Sequence, residues 1–165
     1  MLEELFEPDG DFEGDHYCYN EMIQKSESVP FPRILVGIDN SEPAKKAFDW
    51  AVENARKGDS IFLCLVVAPS AVSHAKDRQE REEILEKVWV ALKTEYETRA
   101  KSVSIIPLLI VSRNVRKSLV SIAQDLDVKM LVVGSRGHSM IERMFMGDTS
   151  KYVADHSNTC VVVVR

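Results

Sequence analysis

A chain of 165 residues, 45% apolar and 28% charged, is long enough for one domain with a full hydrophobic core, and its composition excludes a wholly disordered or fibrous protein. The net charge of −5 is uneven: residues 1–30 hold nine acidic residues and one lysine, while residues 31–165 hold 17 acidic and 20 basic ones, too balanced for the broad basic surface of a nucleic-acid binder. The acidic start MLEELFE fits neither a secretory signal nor a transit peptide, and no apolar run reaches the roughly 18 residues of a membrane span, so a cytoplasmic chain without membrane contact is expected.

Residues 1–30 show no sustained period and contain Pro8, Gly10 and Gly14 among the acids. They read as a mostly disordered leader, with the stretch from Tyr17 to Ile23 as the part able to dock on the domain or on a partner. The domain is expected over residues 31–165. Arg33 to Ile38 is a short apolar run, a buried strand. Ser41 then serves as N-cap of a helix with Pro43 in its first turn, where a missing N–H costs nothing. Ala44, Ala47, Phe48, Ala51, Val52 and Ala55 recur at helical spacing, and Gly58 is expected to close the helix.

Ile61 to Val67 is a second strand, unalternating as in parallel sheets buried on both faces, and Pro69 ends it. Residues 75–100 form a long charged helix with Ile84, Val88, Ala91, Leu92 and Tyr96 as its apolar stripe. Val103 to Val111 is a third strand, and Pro107 inside it argues for a sheet edge. A helix with Val115, Leu119, Ile122, Ala123 and Leu126 inward follows, then a strand over Lys129 to Val133. Next come a glycine-containing loop and a helix carrying Ile141, Met144, Phe145, Tyr152 and Val153, and the chain closes on a strand over 159–165. Of the three cysteines, Cys64 and Cys160 lie within apolar runs and read as small core residues. With Cys18 they form no CxxC or Cys/His cluster, so neither a zinc site nor a disulfide framework is expected.

Five strands alternating with four helices predict an α/β, doubly wound, Rossmann-like parallel sheet with helices on both faces. The edge position of the third strand gives the strand order 3-2-1-4-5. The switch point then falls between the first and fourth strands, and ligands of such folds bind there, outside the carboxyl ends.

Two segments reach that crevice: Val36-Gly37-Ile38-Asp39-Asn40-Ser41, and Val133-Gly134-Ser135-Arg136-Gly137-His138-Ser139 continuing to Gly147-Asp148-Thr149-Ser150. Gly134 and Gly137 allow close backbone approach, Gly147 leaves room for phosphates, and Thr149 and Ser150 offer hydroxyls. A glycine loop beside a helix start is an anion site by its exposed N–H groups, although a plain structural turn explains GxxG equally well. Arg136 and Arg143 are candidate phosphate partners, and His138 is a candidate for stacking or hydrogen bonding at the rim. Ser135, Ser139, Thr149 and Ser150 are candidate phosphorylation sites. His16, His74 and His156 read as surface or helix-end residues. No GxSxG, GxxxxGK[ST] or HExxH motif appears, and no catalytic residue or metal site stands out.

Gly134-x2-Gly137-x9-Gly147 with hydroxyl residues just beyond resembles the ATP-binding signature of the universal stress protein family. The resemblance extends from about Pro32 to Arg165, with Gly37 to Ser41 and the strand Cys160 to Val164 included. It implies a regulatory, stress-response protein that binds ATP, with or without Mg²⁺. By the resemblance, Ile38 and Asp39 meet the adenosine end, the backbone of Val66 meets the adenine, and Val133, Gly134 and Gly137 surround ribose and phosphates. Gly147, Asp148, Thr149 and Ser150 hold the phosphates. The family's first hydroxyl after the third glycine falls at position 148, which here is Asp148. Beside a phosphate at about 5 Å and an effective dielectric of about 20, its carboxylate would repel by roughly 3 kcal/mol. A bound Mg²⁺ would reverse that sign, and a carboxylate capping the following turn would point away.

The resemblance further implies a homodimer through the last strand, whose four consecutive valines would make an edge that needs covering. Two other readings stand beside the first. One is a family member that has lost ATP binding and works as a protein-interaction module; the other is a nucleotide-dependent enzyme, for which the sequence offers no catalytic group.

Overall fold

The computed structural model describes residues 17–18, 33–71, 73–100, 103–136 and 146–165. Six strands and four α-helices occur among them: β1 (Tyr17–Cys18), β2 (Arg33–Ile38), α1 (Glu42–Asn54), β3 (Ser60–Val67), a 3-10 turn (Pro69–Ala71), α2 (Arg78–Glu97), β4 (Ser104–Val111), α3 (Val115–Asp125), β5 (Met130–Gly134), α4 (Asp148–His156) and β6 (Cys160–Val164). They form one sheet of order β1-β4-β3-β2-β5-β6. Strands β2 to β6 are parallel and keep the expected 3-2-1-4-5 order. The antiparallel pair Tyr17↔Val111 and Cys18↔Ile110 is an addition to it. Two residues of the 1–30 segment thus lie on the sheet, and β4 is not the outermost strand along its whole length. Pro107 stands opposite Leu63, away from the short β1 pairing, where its missing N–H is tolerated.

Alternation along the strands divides the core into two layers. Ile34, Val36, Ile38, Ile61, Leu63 and Val132 face one side, where they meet Ala44, Ala47, Phe48 and Ala51 of α1 and Leu92 and Tyr96 of α2. Leu35, Phe62, Cys64, Leu131 and Val133 face the other, against Leu119, Ile122 and Ala123 of α3 and Val153 of α4. Phe48 and Tyr96 pack edge to face with centroids 4.8 Å apart. Complete burial of side chains of this size contributes roughly 2–3 kcal/mol each.

Several local expectations change. Gly58, at φ 93°, lies beyond the helix end: α1 stops at Asn54 with Ala55 extended, and Gly58 turns the 55–59 loop instead. In that loop the Arg56 N–H donates to Asp59 Oδ2 at 2.7 Å and the Asp59 N–H to the Arg56 carbonyl at 2.9 Å. Ala91 is exposed, because the buried line of α2 runs through Leu92 and Tyr96, one helical turn apart, and Ala91 sits a step off it. Cys64 is buried as expected, but Cys160 is exposed, since it opens a strand at the sheet's end with a neighbouring strand on one side only among the described residues. Ile141, Met144 and Phe145 of the expected last helix, and Arg143, lie outside the described residues.

Candidate functional site at the carboxyl end of the sheet

Strands β2 and β5 are neighbours only up to the pair Val36↔Val132, although β2 runs on to Ile38 and β5 to Gly134. Each instead follows its outer partner, to Ile38↔Leu65 and Gly134↔Val164 respectively. The sheet thus parts at its centre, and Val66 and Val67 of β3 extend past the end of β2 beside the opening. This is the switch-point crevice of a doubly wound sheet.

On one side, the turn out of β2 is built from Asp39, Asn40 and Ser41. Asp39 Oδ1 accepts the Ser41 N–H at 3.1 Å, and Asn40 takes a left-handed φ of 65°, which asparagine tolerates better than most residues. Ser41 Oγ then accepts the Ala44 N–H at 3.3 Å and caps α1. The turn brings half-buried Asp39 to the mouth of the crevice.

On the other side, Ser135 joins three elements. Its N–H donates to the Val164 carbonyl at 2.6 Å, and its own carbonyl accepts the Gly147 N–H at 2.7 Å and the Ser150 hydroxyl at 3.1 Å. The same hydroxyl lies 2.9 Å from the Gly147 carbonyl, so the Ser150 proton is directed inward to backbone oxygens. These bonds fix the start of α4 at the end of β5. α1, α2 and α3 are capped by the side chains of Ser41, Asp77 and Asn114, whereas α4 begins at Gly147 with no side-chain cap. Its first-turn amides thus lack, among the described residues, the side-chain acceptor that the other helices have.

The two glycines here serve packing. A Cβ on Gly134 would lie 2.7 Å from the Pro43 carbonyl carbon and 2.9 Å from the Ala44 nitrogen, so its bareness admits the first turn of α1. A Cβ on Gly147 would lie 3.1 Å from the Ser135 carbonyl oxygen and 3.3 Å from Arg136 Cα. At Gly134, where close approach of a ligand was expected, and at Gly147, where room for phosphates was expected, the missing side chain accommodates the protein's own backbone.

Asp148 is the first residue of α4, and its exposed carboxylate is bonded to Arg116 Nη1 of α3 at 2.6 Å. The Arg116 guanidinium also lies 4.9 Å from the ring centroid of Tyr152, which is stacked on His156 at 3.9 Å. Nothing in the sequence connects Arg116 to Asp148, 32 positions away. A Mg²⁺ ion on Asp148 would share the carboxylate with Arg116, and no group of three or more His, Cys, Asp or Glu able to hold a metal occurs among the described residues.

The structure thus brings together Ile38, Asp39, Val66, Val133, Gly134, half-buried Arg136, Gly147, Asp148, half-buried Thr149 and Ser150 at one end of the sheet. Gly137, His138 and Ser139 lie outside the described residues. No helix among the described residues is long and apolar enough to cross a membrane.

The sequence pattern of the Universal stress protein family matches residues 30–165. The chain belongs to the universal stress protein family. Universal stress protein YxiE of Bacillus subtilis is 27% identical over 148 residues, covering 82% of this chain and 99% of that one. A universal stress protein of Mycolicibacterium smegmatis is 31% identical over 144 residues, 80% of this chain and 47% of that longer one. Among solved structures, universal stress protein UspA from Lactobacillus plantarum superposes with a TM-score of 0.65 at 25% identity, covering 82% and 98% of the two chains. A universal stress protein in complex with cAMP superposes at 0.64 with 24% identity, covering 81% and 97%. These likenesses agree with the Rossmann-like sheet order of this universal stress protein.

Proposed function

We propose that this universal stress protein binds an adenine nucleotide, ATP or a relative of it, in the crevice between β2 and β5, and that occupancy of the site is its regulatory signal. The observation that carries the reading is the parting of those strands beyond Val36↔Val132, with the uncapped start of α4 held at the crevice by the Ser135–Gly147 bond. Family members of the same fold with cAMP, dAMP and AMP bound support the ligand class. Asp39 is assigned to the adenosine end, the backbone of Val66 to the adenine, and Gly134 to Arg136 with Gly137 and His138 to ribose and phosphate. Gly147 to Ser150 border the phosphates. With no catalytic group assigned, the protein works by binding, and any hydrolysis is slow.

Calorimetric titration with ATP and with AMP tests this. Micromolar binding that is lost in Asp39→Ala supports the site. No heat up to millimolar nucleotide favours the interaction-module reading, to which the Asp148 carboxylate already lends weight. β6 also ends the sheet, with Val161 to Val164 half-buried and one side unpartnered among the described residues, which supports a homodimer through residues 159–165. Light scattering at micromolar protein is expected to give the dimer mass; a monomer mass would contradict it.

A further inference from the structure

We infer that the Asp148–Arg116 pair sets how many phosphates the site accepts, so that a nucleoside monophosphate is preferred to a triphosphate. This rests on the nucleotide reading above. A carboxylate in the first turn of a helix is itself favoured by the exposed amides and the positive end of the dipole. Asp148 occupies that place at the start of α4, where no side-chain cap among the described residues competes with it. The chain thus brings its own anion to the point that an outer phosphate would reach.

The balancing cation is already engaged. Arg116 Nη1 is 2.6 Å from Asp148 Oδ2, and the guanidinium is flanked by the Tyr152 ring at 4.9 Å. Tyr152 is in turn stacked on His156 with an interplanar angle of 8°, and His156 Nδ1 lies 2.9 Å from the Tyr152 carbonyl oxygen. Arg116 is therefore oriented from two sides. A terminal phosphate would compete with Asp148 for the guanidinium charge, an exchange that leaves the carboxylate less compensated beside the incoming charge. A single phosphate near Ser135 and Gly147 does not require that exchange, whereas each further phosphate adds negative charge toward Asp148. The pair is largely exposed, 39% at Arg116 and 76% at Asp148, so it discriminates between ligands without the fold depending on it.

The test measures dissociation constants for AMP and ATP in magnesium-free, low-salt buffer for the wild type, Asp148→Ser and Arg116→Gln. The wild type is expected to bind AMP more tightly than ATP. Asp148→Ser should tighten ATP binding about 3- to 5-fold while moving AMP less than about 2-fold, and Arg116→Gln should weaken ATP selectively. Higher salt should shrink these differences. Nucleotide binding with an ATP-to-AMP ratio unchanged in Asp148→Ser would overturn the inference and leave the nucleotide reading intact. Failure of all three proteins to bind either nucleotide would overturn the reading, and the inference with it.

Discussion

The two ends of the sheet use charge in opposite ways. At the amino end, buried Arg33 donates from Nη1 to the Leu126 carbonyl at 3.0 Å, and the Lys129 N–H donates to the Arg33 carbonyl at 2.9 Å. The Thr159 hydroxyl donates to the Val128 carbonyl at 2.6 Å, and the Lys129 ammonium pairs with Asp59, whose side chain is 1% exposed. Every one of these bonds ties neighbouring segments together. At the carboxyl end the central strands part, a helix starts without a cap, and the ion pair Arg116–Asp148 stands in solvent. Charges buried at one end hold the fold, whereas the charged pair at the other stands in solvent.

The largest expected break of this contrast is Lys129→Met. Removing the ammonium leaves the buried Asp59 carboxylate with the Arg56 N–H but without its ion-pair partner, at a cost of about 3 kcal/mol in denaturant unfolding, with nucleotide affinity unchanged. Equal loss of affinity would show that the two ends are not independent. The same pair gives a pH signature. Burial acts to raise the Asp59 pKa, but the Lys129 ammonium and the Arg56 N–H together hold it below its ordinary value of 3.8. A depressed folded value means that the stabilisation is complete above 3.8 and is lost as pH falls through the folded value. Asp59→Asn should remove this part of the acid dependence.

Next in size is Gly134→Ala. Its Cβ would meet the Pro43 carbonyl group at 2.7–2.8 Å, backbone that cannot rotate aside, so a destabilisation of about 1–3 kcal/mol is expected by thermal melting. An unchanged melting temperature would mean that α1 can shift off the end of β5.

Tyr96→Phe should have a smaller effect with the opposite sign. The hydroxyl is buried without a hydrogen-bond partner among the described residues, so its removal is expected to be neutral or stabilising by up to about 1 kcal/mol. Burial, with the nearby Glu95 carboxylate, pushes the Tyr96 pKa up to about 12 from 10.0. The stabilisation from this raised value is present below pH 10.0 and lost as pH rises toward about 12; the phenylalanine variant should not lose it. The smallest effect is expected for Arg116→Gln, within about 1 kcal/mol of wild-type stability, as for other exposed pairs.

Much of the fold was legible because its signals are local. The runs Arg33 to Ile38 and Ile61 to Val67, the Ser41 cap and the 3.6-residue spacing of Ala44, Ala47, Phe48 and Ala51 are each readable within one segment, and Pro107 carried the strand order. What was not legible depends on pairs distant in sequence. Lys129 and Asp59 are 70 positions apart, as are Arg99 and Asp49 by 50, and no periodicity links them. The same holds at the site. The glycine spacing located the β5–α4 junction, but it could not reveal that Gly134 and Gly147 face the protein's own backbone, or that Arg116 from α3 meets Asp148. Docking by the stretch that begins at Tyr17 was among the expectations, but its pairing with β4 was not, since two residues are too few for any alternation to register.

The most direct test of the division between the two ends is a map of backbone amide NMR shifts during titration with AMP. Shifts are expected to concentrate at residues 38–41, 66–67, 133–136 and 147–150, with residues 56–60 and 126–130 unmoved. Shifts centred on the Asp59–Lys129 end, or none at saturating AMP, would contradict it.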